Sequence, residues 1–141
     1  MFMGEYHHNI DEKGRLIMPS KFRDDLGESF VVTRGIDSCL YVYKESTWQE
    51  FTSKINALPF TKKDVRSFQR FLLSGASVQT LDKQGRLSIS SPLLTYANIE
   101  KECAIIGVND HIEIWDKNSF DKFLDDNMNN ISDIAENIFE V

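Results

Sequence analysis

The sequence contains only two cysteines, Cys39 and Cys103, among 141 residues. Both lie in apolar, strand-like surroundings, so we expect two small buried hydrophobic side chains and no disulfide framework. No apolar run approaches the roughly 20 residues that a membrane-spanning helix needs. The first eight residues lack both the basic and the apolar part of a signal peptide. These absences predict a cytoplasmic protein without membrane contact.

Catalytic and metal-binding motifs are equally scarce. His7 and His8 are adjacent, so in a strand they would point to opposite faces, and His111 has no cysteine nearby in the sequence. The chain has no P-loop or dinucleotide-binding glycine motif, and residues 74–77, Ser-Gly-Ala-Ser, lack the strand-to-helix flanks of a nucleophile elbow. The sequence therefore predicts no metal, no cofactor, no small-molecule substrate and no enzymatic activity.

Positive charge is in deficit, with 16 Lys and Arg residues against 22 Asp and Glu residues. This balance disfavours a protein that binds nucleic acid indiscriminately. The deficit is local, because residues 1–70 carry 11 cations and 10 anions, whereas residues 71–141 carry 5 and 12. The acidic C-terminal end is either a solvated tail or a segment that masks a basic face elsewhere.

An internal duplication is the main feature that the sequence does contain. Residues 11–15, Asp-Glu-Lys-Gly-Arg, recur 71 positions later as residues 82–86, Asp-Lys-Gln-Gly-Arg. The similarity continues, since residues 40–43 correspond to residues 112–115. Half of this chain alone would bury a meagre core, so we expect both halves to form one domain with pseudo-twofold symmetry.

Each copy of the motif predicts a β-hairpin turn. The aspartate can accept a hydrogen bond from the backbone two residues on, and the glycine tolerates a positive φ angle. The predicted loop-positioning residues are Asp11, Gly14, Asp82 and Gly85.

An arginine follows each turn on the return strand. It could brace its own hairpin by pairing with the aspartate. The duplication indicates a second role, because equivalent hairpin tips in a pseudo-twofold domain can lie on one face. A guanidinium can bind a phosphate or a guanine edge through two hydrogen bonds, and the two roles are compatible. The predicted DNA-contacting residues are Arg15, Arg86, Lys13, Lys83 and Arg34.

The remaining pattern predicts an α+β protein that is mainly β. We expect strands at 6–10, 15–18, 29–35, 39–43, 78–81, 86–89, 103–108 and 112–115, and short helices at 20–26 and 91–97. A capping box at Ser46–Gln49 predicts a helix that ends at Pro59, a second helix ends at Ser74-Gly75, and Asn118 is expected to cap another. The expected segments are a first domain at 5–47, a helical pair at 48–75, a second domain at 76–119 and an acidic helical tail at 120–141.

These residues resemble the MraZ family of bacterial regulators, which have two AbrB-type (SpoVT-AbrB) domains. The resemblance covers the chain through residues 1–6, 13–15, 19–23, 82–86 and 112–115. The family's Asp-x-x-x-Arg motif corresponds to residues 11–15 and 82–86. The second copy in the family often has a proline where Ser90 stands here, as Pro19 stands in the first copy. The strand end is therefore expected to be less rigid in the second copy.

The resemblance implies a swapped-hairpin barrel formed by both halves, ring-like homo-oligomers and a nucleoid-associated location. It also implies binding to repeated boxes in double-stranded promoter DNA of the division and cell-wall gene cluster, which includes the regulator's own gene. We therefore predict a sequence-specific transcriptional regulator that acts as a repressor. A protein-interaction ring or antitoxin-like binding module is the main alternative, and a small enzyme is the third.

Overall fold

The computed structural model describes residues 1–139, in which strands and helices follow the same order twice. The first repeat contains β1 (Phe2–Asn9), β2 (Arg15–Ile17), α1 (Ser20–Leu26), β3 (Phe30–Arg34), β4 (Leu40–Lys44) and α2 (Glu45–Asn56), and α3 (Lys63–Ser74) links it to the second. The second repeat contains β5 (Ser77–Gln79), β6 (Arg86–Ser88), α4 (Ser91–Tyr96), β7 (Glu102–Asn109), β8 (His111–Asp116) and α5 (Lys117–Met128), followed by α6 (Ile131–Phe139). The predicted α+β class and the tandem duplication are confirmed.

The strands form two antiparallel sheets that join the repeats. The larger sheet has the order β1-β7-β8-β4-β3-β5, and the smaller one pairs β2 with β6. The first strand of each repeat thus pairs with the third strand of the other, β1 with β7 and β5 with β3. The expected swapped-hairpin barrel is not confirmed, because β1 and β5 lie at opposite edges of an unclosed sheet. Since β2 and β6 pair with each other, they form a separate two-stranded ribbon.

Both repeats contribute to one hydrophobic core. Alternate residues of β3, β4, β7 and β8 point into it, and they meet buried side chains from the ribbon and from α1 and α4. Its largest fully buried members include Phe30, Leu16, Met18, Leu26, Leu40, Leu87 and Ile105. Burying such a side chain contributes roughly 1.5–3 kcal/mol. Because the core is shared, neither repeat can bury its apolar face alone.

A smaller aromatic layer covers the opposite face of the sheet. Trp115 packs against Phe120 of α5 with ring centroids 5.4 Å apart, and Cys39 and Ala104 are buried beside them. Both cysteines of the chain are buried free thiols. Burial raises the pKa of Cys103 to about 12.

Helix starts differ from the sequence-based expectation in two places. The predicted capping box at Ser46 is wrong, because α2 begins at Glu45 and no side chain caps it. The expected Asn118 cap is also wrong, since Asp116 caps α5 by accepting a hydrogen bond of 3.1 Å from the Ser119 backbone N–H. In both cases the preceding strand runs directly into the helix, so the helix begins earlier than the expected capping residue.

Two further boundaries differ. Strand β1 begins at Phe2, four residues before the expected start, because it pairs along its whole length with β7. Strand β5 covers Ser77–Gln79, so it begins one residue before and ends two residues before the expected strand at 78–81. The predicted tail at 120–141 contains most of α5, which begins earlier at Lys117, and all of α6, and its residues 140–141 lie outside the described part of the chain. None of the helices in residues 1–139 combines the length and the apolar character needed to cross a membrane.

Candidate nucleic-acid interface

The first Asp-x-x-Gly-Arg segment forms a tight turn at the tip between β1 and β2. Asp11 Oδ1 accepts hydrogen bonds from the backbone N–H groups of Lys13 (2.9 Å) and Arg15 (2.8 Å). The backbone closes through Gly14 N–H to the Asp11 carbonyl at 3.1 Å. Gly14 has a φ angle of 77°, a left-handed conformation that costs glycine little. The Arg15 backbone hydrogen bond, opposed by partial burial, lowers the pKa of Asp11 below its usual 3.8.

The second copy repeats this geometry. Asp82 Oδ1 accepts hydrogen bonds from the backbone N–H groups of Gln84 and Arg86, both at 2.9 Å. Gly85 has a φ angle of 76°. The Arg86 backbone hydrogen bond is likewise the main cause that lowers the pKa of Asp82. Each aspartate therefore organises its turn as an ionised acceptor.

The ribbon places the two arginines on one face. Strands β2 and β6 are in register with Arg15 opposite Ser88, Leu16 opposite Leu87, and Ile17 opposite Arg86. Leu16 and Leu87 are buried in the core. Because successive side chains of a strand alternate between its faces, Arg15 and Arg86 both lie on the face turned away from the core.

Backbone hydrogen bonds fasten each turn to the other repeat. The Gly14 carbonyl accepts from Ile89 N–H at 2.8 Å, and the Gly85 carbonyl accepts from Met18 N–H at 2.9 Å. These bonds extend the β2–β6 ladder at both ends. The position of one turn is therefore fixed by the return strand of the other.

Ion pairs connect the two motifs on the outward face. Arg15 Nε donates to Asp11 Oδ2 at 2.9 Å, and Arg86 Nε donates to Asp82 Oδ2 at 2.8 Å. Arg86 Nη1 also lies 3.7 Å from Asp11 Oδ2, which joins the two copies. A guanidinium has five N–H donors, so each Nε bond orients its arginine while leaving most of its donors for a ligand.

Both repeats, each with its own turn, match the same protein-family model. The chain matches the family model described as "MraZ protein, putative antitoxin-like" over residues 1–71 and again over residues 72–141. The chain belongs to the MraZ family. The description of this family is antitoxin-like and names no enzymatic reaction. The two matched segments each contain one of the turns.

In this MraZ-family chain the other predicted contact residues have different surroundings. Lys13 and Lys83 are exposed on the two turns. Arg34 is not part of the ribbon: its Nη1 donates to the Phe71 carbonyl and to the Ser74 hydroxyl, each at 2.9 Å. Arg34 therefore ties β3 to the end of α3, a structural contact that the sequence did not predict.

Sequence reasoning missed Arg23, which packs directly on the second turn. Arg23 Nε donates to the Met18 carbonyl at 2.9 Å. A Cβ atom added to Gly85 would lie 2.5 Å from Arg23 Cζ, so the guanidinium covers this glycine. Alignment of the repeats would have shown that Arg23 stands where the second repeat has Leu94, but not that Arg23 packs on Gly85.

Within residues 1–139, no three His, Cys, Asp or Glu side chains are grouped as they would be around a metal ion. A groove lies beside the first turn. Its lining includes Lys13, Ser74 at the end of α3, and four serines of the second repeat, Ser77, Ser88, Ser90 and Ser91. Ile89 and Leu93 also line this open groove, so its walls are partly polar and partly apolar, and it borders the outward face of the ribbon.

Proposed function

We propose that this MraZ-family protein is a sequence-specific, DNA-binding transcriptional regulator. The observation that carries the proposal is the common outward face of the β2–β6 ribbon, on which both motif arginines lie. A major groove about 12 Å wide admits a two-stranded β-ribbon. In this mode Arg15 and Arg86 contact guanine edges or phosphates, while their aspartates hold them in orientation.

Exposed cations supply the remaining contacts in this proposal. Lys13 and Lys83 bind phosphates on either side of the ribbon, and Arg34 adds a phosphate contact through donors not used on α3. Residues 5–47 and 76–119 act as the two DNA-binding units, flanked by the segments 48–75 and 120–141. Asp11, Gly14, Asp82 and Gly85 set the geometry of the turns.

The proposal also specifies the oligomeric state of the protein and the genes that it regulates. The net charge of -6 makes a single protomer a weak ligand for DNA. A ring-like homo-oligomer would sum identical sites on repeated promoter boxes, so that modest contacts give a high overall affinity. We propose the division and cell-wall gene cluster, including the regulator's own gene, as the target that the ring represses, with the protein located on the nucleoid.

Selection of bound DNA from a random pool tests sequence-specific binding. We expect enrichment of a repeated box with the native protein and a loss of enrichment with Arg15→Ala. Losing a bidentate base contact costs roughly 1–3 kcal/mol, or about 5- to 150-fold in affinity per site. Failure to recover any enriched sequence with the native protein would contradict the proposal.

Two controls distinguish the loss of a DNA contact from the loss of folding stability. Arg70→Ala makes the same charge change at an exposed position of α3, outside the ribbon, and should leave binding within about twofold. Thermal melting of Arg15→Ala should resemble that of the native protein. If Arg15→Ala melts much earlier while its folded fraction still binds DNA normally, Arg15 is only a brace for its turn.

A protein-binding, antitoxin-like module is the second candidate, and one feature of the C-terminal helices favours it. An apolar cavity of about 220 Å³ lies between α5 and α6, lined by Phe123, Leu124, Asn127, Met128, Ile131 and Ile134. Salt dependence distinguishes the two candidates. DNA affinity should fall with a logarithmic slope of about -0.9 per neutralised phosphate, whereas an apolar protein interface should show little change.

A further inference from the structure

Each turn is covered by a side chain from the opposite repeat, and the two covering side chains differ in their chemistry. A Cβ atom added to Gly14 would lie 3.9 Å from Leu94 Cδ1, whereas one added to Gly85 would lie 2.5 Å from Arg23 Cζ. Arg23 and Leu94 are separated by 71 residues, the spacing of the two motifs. An apolar side chain thus covers the first turn, and a guanidinium covers the second.

The charge of Arg23 is not matched within the described part of the chain. Its Nε donates to the Met18 carbonyl at 2.9 Å, and no Asp or Glu in residues 1–139 forms a salt bridge with it. No buried side-chain nitrogen or oxygen among these residues lacks a hydrogen-bond partner. The terminal nitrogens of the half-buried Arg23 therefore reach solvent and keep their four N–H donors.

Arg23 makes the surroundings of the two turns electrically unequal. The second turn combines three cations, Lys83, Arg86 and Arg23, with the single carboxylate of Asp82. The first turn balances two cations against two carboxylates, in Asp11, Glu12, Lys13 and Arg15. The Asp11 carboxylate also lies within 3.7 Å of Arg86, so some negative charge reaches the second arginine. The excess positive charge still lies at the second turn.

We propose that Arg23 is a phosphate-binding residue of the DNA interface, supplied by the first repeat to the turn of the second. Its fixed Nε bond orients the guanidinium, which can then bind a phosphate through two N–H groups. The second turn consequently binds the DNA backbone more strongly than the first, and the two halves of the ribbon contact DNA unequally. This inference rests on the proposed DNA-binding function.

The test measures affinity for the selected DNA box between 50 and 200 mM salt, a range over which phosphate contacts change affinity strongly. Arg23→Leu covers the second turn with a leucine, the same type of side chain that covers the first turn. We expect the logarithmic salt slope to become shallower by about 0.9 for each protomer that engages DNA. Arg23→Lys keeps the charge and should restore most of the slope.

A second neutral variant guards against misfolding. Arg23→Gln retains an N–H donor for the Met18 carbonyl without a charge, and it should also give a shallower slope with normal melting. Leu94→Ala is the matched control at the opposite turn and should leave the slope unchanged.

Two results would overturn the inference. One is a normal slope in both Arg23→Leu and Arg23→Gln, with lowered melting temperatures, which would make Arg23 a support for the turn only. The other is an equal loss of slope in Leu94→Ala, which would assign the effect to packing. If the native protein itself shows no salt-dependent DNA binding, the proposed function has failed, and this result is distinguishable from both.

Discussion

The turn at residues 11–15 and the turn at residues 82–86 have nearly the same backbone. The φ angles of Gly14 and Gly85 are 77° and 76°, and the Nε–Oδ2 distances of the two ion pairs are 2.9 and 2.8 Å. Their surroundings differ much more. The Ile89 carbonyl and an apolar side chain pack on the first turn, whereas the Arg23 guanidinium packs on the second. Duplication has kept the contacts that form the turn and has allowed the covering contacts to diverge.

The two arginines also differ in how tightly they are held. The Arg15 side chain is 33% exposed and, among residues 1–139, pairs with Asp11 alone, while the Arg86 side chain is 20% exposed. Arg86 interacts with Asp82, Asp11 and the Gln84 side chain. Arg86 is therefore the more pre-oriented of the two, and Arg15 is the more accessible.

The largest expected difference between the turns is in their tolerance of a methyl group. Alanine in a left-handed conformation costs roughly 1–2 kcal/mol at either glycine. At Gly14 the new Cβ would also lie 2.6 Å from the backbone carbonyl of Ile89, a residue whose N–H is bonded to the Gly14 carbonyl, so we expect a total loss of roughly 3–4 kcal/mol. At Gly85 the obstacle is a side chain that can move, so Gly85→Ala should lose only about 1–2 kcal/mol.

Urea unfolding of both alanine variants measures these losses. Gly85→Ala in an Arg23→Ala background is the control, because it removes the guanidinium and leaves the backbone cost alone. Equal losses for Gly14→Ala and Gly85→Ala would show that the Ile89 carbonyl yields as easily as the guanidinium, and the structural distinction between the turns would not hold.

The sequence predicted the local chemistry of the turns well, because this chemistry depends on few residues. An aspartate three residues before a glycine specifies its own hydrogen bonds, and alternation places Leu16 in the core when Arg15 faces outward. The tandem repeat followed from the spacing of the motifs, and the family followed from the resemblance of residues such as 11–15 and 82–86 to its motif. The predictions for the turns were therefore reliable, whereas the two equally local predictions of helix caps, at Ser46 and Asn118, were wrong.

Long-range pairing was harder to predict. Strands β2 and β6 have only three residues each, too few to indicate that they pair with each other and leave the larger sheet open. The packing of Arg23 on Gly85 depends on this pairing, so inspection of the motif alone did not find it. The start of α2 was misplaced for a related reason, because a continuous strand-to-helix junction overrode the local capping pattern.

A smaller effect is expected where the two return strands end. Ser90 has φ and ψ angles of -69° and 156°, close to the -52° and 135° of Pro19. Ile89 and Met18 make equivalent hydrogen bonds before these residues. Proline fixes φ near -65°, so Ser90→Pro should raise the free energy of unfolding by roughly 0.4–1 kcal/mol.

Pro19→Ser is the reciprocal variant and should lower stability by a similar amount. Calorimetric melting of both proteins tests whether the second strand end is the less rigid one. A destabilised Ser90→Pro protein would indicate that the second strand end needs a conformation or an N–H group that proline lacks, and the two ends would not be interchangeable.

The smallest expected effect concerns the two carboxylates. The pKa values of Asp11 and Asp82 are both lowered, so their contribution to stability is present above pH 3.8 and is lost as the pH falls through their folded-state pKa values. Asp11→Asn and Asp82→Asn keep an Oδ1 acceptor but lose the charge. Each variant should be slightly less stable than the native protein at pH 6, and this difference in stability should shrink below pH 3.8.

The loss of stability at pH 6 should be larger for Asp11→Asn, because Asp11 contacts both Arg15 and Arg86. Urea unfolding at a series of pH values measures it, and a larger effect from Asp82→Asn would show that the 3.7 Å contact between the two motifs adds no stability.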